Sequence, residues 1–99
     1  MLELTKVNEV VAGAASAVLR QRTDVRRVLS EPAVDGDGAE VLHITIVLDD
    51  GGAESISGDM ALDTLVGVER ALRAANEERF PIIEYATEEE LRSIADTES

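Results

Sequence analysis

His43 is the single histidine of the chain and its best candidate for proton transfer near neutral pH. It lies inside VLHITIVL at 41–48, where an imidazole on a strand surface could serve as a general base or a metal ligand. The chain has no cysteine and no second histidine, so a transition-metal site there would need carboxylates for its other ligands. The pattern favours a plainer role: a polar residue on the half-exposed face of a strand, satisfied by a neighbour or by water. No metal and no cofactor is expected.

Two groups of acids invite the same scrutiny. DGDGAE at 35–40 spaces its carboxylates loosely like a calcium loop. An EF-hand loop, however, spreads its ligands over about twelve positions between helices, whereas the flanks here read as strands. A hairpin turn is expected. Asp49, Asp50, Asp59 and Asp63 could hold a hard cation or share a proton, and Asp59 and Asp63 fall on one side of a helix. A polar loop and a solvated helix start account for all four. The serines have no nucleophile elbow around them, and Gly51-Gly52 is followed by no phosphate-loop pattern. Arg20, Arg22, Arg26 and Arg27 form a basic cluster suited to an anion or an acidic partner. Positive charge at that place also favours the end of a helix.

Composition narrows the chemistry further. Without cysteine, disulfides, thiolate nucleophiles and iron–sulfur clusters are excluded. Phe80 and Tyr85 are the two aromatic residues, too few to stack successive bases or a flat cofactor. Twenty-one acids face nine bases, a net charge of −12. The division is uneven: residues 1–34 hold five bases and four acids, a sum of +1, and residues 35–99 hold four bases and seventeen acids, a sum of −13. Such a surface repels phosphate backbones, so direct nucleic-acid binding is not expected. Acidity of this kind keeps a small protein dissolved or prepares it for a basic partner. The N-terminal MLELTKVNEVV lacks the basic start and apolar run of a signal peptide. The weakly polar stretch at 10–19 is about half the ~20 residues that span a bilayer. A cytoplasmic protein with no membrane association is expected.

These residues need elements to position them. Leu4, Val7, Val11, Ala14 and Val18 follow helical spacing over 4–22, with Gly13 and Ala17 offering a small face for close packing. VRRVLSEPAV at 25–34 reads as a strand whose Pro32 belongs at an edge. The 41–48 strand alternates Leu42, Ile44, Ile46 and Leu48 on one face with Val41, His43, Thr45 and Val47 on the other. Ser57 or Asp59 can cap a helix reaching about Asn76, with Ala61, Leu65, Val68, Leu72 and Ala75 as its stripe and Leu62 widening it. Glu69 with Arg73 makes a favourable surface pair on that helix. Pro81 ends it, PIIEYA gives a third strand, and Thr87 with Glu90 caps a short last helix containing Leu91 and Ile94.

The expected fold is one α+β domain over 1–99, its last few residues frayed. Its order is α-β-β-α-β-α, a two-layer sandwich with a small mixed three-stranded sheet and two long helices on one face. The strands around the second long helix should be parallel. That order resembles ferredoxin-like and KH-like sandwiches, although the GxxG loop with which a KH domain grips RNA is missing.

Two helices on one side leave the other face bare unless the short last helix or another chain reaches it: Val41, His43, Thr45 and Val47, joined by Ile82 and Glu84. Monomers rarely leave a broad apolar face in water, so a homodimer or a stable protein partner is expected there. The functional expectation is a non-catalytic protein-binding module. Its alternatives are an acidic neutraliser of a basic partner, such as an antitoxin-like protein or nucleic-acid mimic, and a small enzyme built on His43.

Overall fold

Helix α1 spans Leu4–Leu19, strands β1 and β2 span Val25–Val34 and Glu40–Leu48, and a 3-10 turn covers Gly52–Ser55. Helix α2 at Gly58–Ala74, strand β3 at Phe80–Thr87 and helix α3 at Glu88–Glu98 complete the chain. The computed structural model describes residues 1–98, with side chains through residue 93. Ile94, expected in the last helix, lies within α3, while its side chain and residue 99 are outside the described range, and with them the expected fraying of the chain's end. The order is α-β-β-α-β-α around a mixed sheet, as the residue pattern requires.

The sheet runs β1-β2-β3, with β1 antiparallel and β3 parallel to the central β2. DGDG makes the hairpin between β1 and β2. Asp35 Oδ1 accepts from the amides of Asp37 and Ala39, each at 2.9 Å, and Gly38 turns the chain at φ 85°. The Asp35 carboxylate therefore holds the turn together. Both edge strands contain a proline, Pro32 in β1 and Pro81 in β3.

One face of the sheet carries the core. Leu42, Ile44, Ile46 and Leu48 of β2 are buried with Val28 of β1, and Ile83 and Tyr85 of β3 pack against them. Val7, Val11, Ala15 and Leu19 of α1 and Val68 and Leu72 of α2 cover this layer. The buried stripe of α1 is rotated from the expected one: Ala15 and Leu19 replace Ala14 and Val18, which are only half-buried. A tract as uniformly small as GAASA offers methyl-sized groups on every side, so spacing alone does not select the face.

The small face of α1 also differs from expectation. Gly13 and Ala17 are exposed, and a Cβ on Gly13 would meet nothing within 4 Å. The close approach of the helices occurs instead at Gly67 of α2, where an added Cβ would lie 3.9 Å from Val18. In α2, Thr64 takes the buried place, and Leu62 is 60% exposed rather than part of the stripe. Thr64 can be buried because its hydroxyl donates to the Met60 carbonyl one turn back, at 2.8 Å. Ser57 caps α2 by accepting from the Met60 amide at 3.2 Å. Thr87 caps α3 by accepting from the Glu90 amide at 3.1 Å, with its own hydroxyl 3.3 Å from the Glu90 carboxylate.

Candidate functional site

Strand register defines the second face of the sheet. Pairing places Leu29, Thr45 and Glu84 in one row across β1, β2 and β3, and Glu31, His43 and Ile82 in the next. Arg27, Val47 and Ala86 form the row toward α3, and Ala33, Val41 and Phe80 the row toward the hairpin. The residues singled out by alternation, Val41, His43, Thr45, Val47, Ile82 and Glu84, therefore share one surface. Leu29, Glu31 and Phe80 join it without having been expected. Counting back from the DGDG turn would have placed Leu29 and Glu31 opposite Thr45 and His43.

This surface is not uniformly open. His43 is exposed and Thr45 half-buried, but Val41 and Val47 are covered, at 4% and 0% exposure, where bare side chains were expected. Val47 lies in the row where β1 and the start of α3 are joined, the Arg27 guanidinium meeting Glu88 just beyond β3 at 2.9 and 3.4 Å. Val41 is flanked by Ala33 on β1 and Phe80 on β3. The exposed apolar part of the face is thus Leu29, Ile82 and Phe80, at 40%, 36% and 47% exposure. Glu31 and Glu84 are both exposed, and among the described residues neither carboxylate has a hydrogen-bond or ion-pair partner. No protein-family model, curated protein or solved structure matches this chain.

The expected basic cluster is dispersed. Arg26 pairs with Asp49 at 3.0 Å, and Arg27 is committed to Glu88. Arg20 lines a shallow depression with Ser16, Thr23, Asp24 and Val25, and Arg22 is exposed. The Asp49–Asp63 group is dispersed too. Asp50 accepts from the Glu89 amide at 3.3 Å, while Asp59 and Asp63 lie exposed on α2. No three histidine or acid side chains among the described residues are grouped to hold a metal. Arg26, Asp49, Asp50, Glu88 and Arg92 border an open depression of about 620 Å³ in which both signs of charge are already interleaved. His43 stands outside it, on the flat of the sheet between Glu31 and Ile82.

Sequence patterns gave no sign of the most strongly perturbed charges. Glu77, which is buried, and Arg79, which is largely covered, form an ion pair at 2.8 Å in the connection between α2 and β3. Asn76 makes this possible by ending α2 in the left-handed conformation, φ 67°, so that the Glu77 amide donates to the Leu72 carbonyl at 2.8 Å. The Glu77 carboxylate then accepts from the Leu2 amide at 2.8 Å and from the amide and guanidinium of Arg79, which also donates to the Leu2 carbonyl at 3.0 Å. The Arg79 side chain is the main cause that holds the Glu77 carboxyl down to about 2, and Glu77 in turn raises Arg79 above its ordinary value. The clamp is closed upon itself and fastens the start of α1 to the entry of β3. Tyr85, on the core side of β3, has its pKa raised by burial, which the neighbouring Thr64 hydroxyl offsets only in part.

Proposed function

We propose that this chain is a non-catalytic protein-binding module whose contact surface is the open face of its sheet. The observation that carries the proposal is the exposure of Leu29, Ile82 and Phe80 on a face whose reverse is sealed by two helices. Exposed apolar side chains gathered on one surface favour association, at about 25 cal/mol for each Å² removed from water. Either a second copy, giving a homodimer, or another protein satisfies this reading. Nothing on the face recommends nucleic acid: Arg27 is spent on Glu88, and Glu31 and Glu84 would repel phosphate.

A second reading is favoured by the charge. Residues 35–99 carry −13, which suits a neutraliser that covers a basic surface with its carboxylates. The two readings differ in salt dependence. A charge-led neutraliser releases its partner as salt rises, whereas an apolar sheet contact persists. The enzyme reading rests on His43 alone, and replacement by glutamine with function intact would end it.

Affinity capture compares the native chain with a Leu29→Ser/Ile82→Ser variant, identifying retained proteins by mass spectrometry. The proposal expects proteins held by the native chain and released by the variant; identical retention would refute it. Light scattering separates the two occupants, because a mass of 10.6 kDa persisting at high concentration removes the homodimer.

A further inference from the structure

We infer that the open sheet face receives an amphipathic helix of a different protein, carrying two lysines or arginines spaced to meet Glu31 and Glu84. This rests on the protein-binding reading above and names the occupant. Glu31 and Glu84 occupy opposite corners of a square whose other corners are Leu29 and Ile82, with Thr45 and His43 between them. Two strand spacings and a two-residue offset put the glutamates about 12 Å apart. Roughly eight residues of helix cover the same distance, so two cations about two turns apart can reach both carboxylates while apolar side chains between them meet Leu29 and Ile82.

A second copy of this chain fits the square poorly. Consider two faces stacked about a two-fold axis through the centre between Thr45 and His43. With the axis along the strands or across them, each glutamate lands on Leu29 or Ile82 of the other copy. With the axis along either diagonal, glutamate lands on glutamate. Every such arrangement covers a carboxylate without a cation, which is costly, and brings together two chains of net charge −12. Arg27 cannot relieve this while it holds Glu88 at 2.9 Å. A basic helix satisfies both carboxylates at once.

The test is an amide-resolved NMR titration of the full chain with a capped alanine–leucine peptide of about eighteen residues, long enough to hold helix. The probe carries two lysines about eight positions apart. One control has glutamates at the same positions, and another has its lysines only about four apart. The expected result is binding of the first peptide below about 1 mM, with shifts centred on Leu29, Glu31, His43, Thr45, Ile82 and Glu84. The Glu31→Gln/Glu84→Gln variant should weaken it about tenfold and the controls should bind less well. Weakening by Leu29→Ser but not by the glutamine pair, or equal binding of all three peptides, overturns the charge-matched helix and leaves the face a protein-binding surface. Shifts lying on α1 and α2, or no binding up to about 1 mM, overturn the occupant, and sensitivity to neither set of substitutions removes the face as well. Shifts on the face that grow with protein concentration before any peptide is added assign it to a second copy, against the inference.

Discussion

Ile44 and His43 are neighbours in β2 on opposite faces of the sheet, the first 1% exposed beneath two helices and the second open between Glu31 and Ile82. Several polar groups around them divide in the same way, although the core-side Tyr85 hydroxyl has no hydrogen-bond partner among the described residues. At the helix layer, Glu77 and Arg79 satisfy each other and Leu2, Ser30 meets Asn8 at 2.6 Å, and Thr64 bonds back to Met60. On the open face, Glu31 and Glu84 have no partner among the described residues. A buried carboxylate must be paired to be tolerated, whereas an exposed one can wait in water for a partner. The helix side serves stability; the open side leaves Leu29, Ile82, Glu31 and Glu84 exposed.

That contrast can be broken from the buried side first. Arg79→Met leaves the Glu77 carboxylate without its cation and should cost about 3–5 kcal/mol, measured by urea unfolding at neutral pH. Acid should do the same without mutation. The Glu77 pKa lies at about 2 when folded against an ordinary 4.5. Its contribution is therefore complete above about pH 4.5 and is lost as pH falls toward 2, by roughly 3 kcal/mol. In Arg79→Met that acid loss should largely vanish, and a variant with an unchanged acid profile would contradict the clamp.

Gly52 probes the same side at a smaller scale. An added Cβ there would run into the Thr23 hydroxyl and lie 3.0 Å from the Leu48 Cβ, so Gly52→Ala should cost about 1–3 kcal/mol in thermal unfolding. On the open side, Arg27 and Glu88 are partly exposed, and a double-mutant cycle should return less than about 1 kcal/mol of coupling. The smallest effect is expected for Leu29→Ser with Ile82→Ser: stability within about 0.5 kcal/mol per site, alongside a loss of partner binding. A large stability loss there would show that the open face belongs to the core after all.

Most of the architecture was legible because it depends on periodicity and punctuation. VLHITIVL alternates without interruption, DGDG turns the chain, and Pro81 keeps helix out of the segment that becomes β3, although α2 has already ended at Ala74. The six expected face residues share one surface for the same reason, since alternation cannot be evaded within a strand. What was hidden depends on contacts distant in sequence. The rotation of α1 depends on the core residues it packs against, and the burial of Val47 on groups outside its own strand. The Glu77–Arg79 clamp left no mark because a glutamate two residues before an arginine is commonplace on a surface. It becomes special only when Leu2 arrives from the other end of the chain.

That arrival also has a place in time. The bond from the Leu2 amide to Glu77 joins positions 75 apart in sequence, so it closes a loop containing most of the chain. Hairpin and helices can form from near neighbours long before so wide a loop is shut. The clamp should accordingly be a late event in folding and an early one in unfolding. Its removal would leave the refolding rate almost untouched while shortening the lifetime of the folded state, so the latch governs how long the molecule persists rather than how fast it is made.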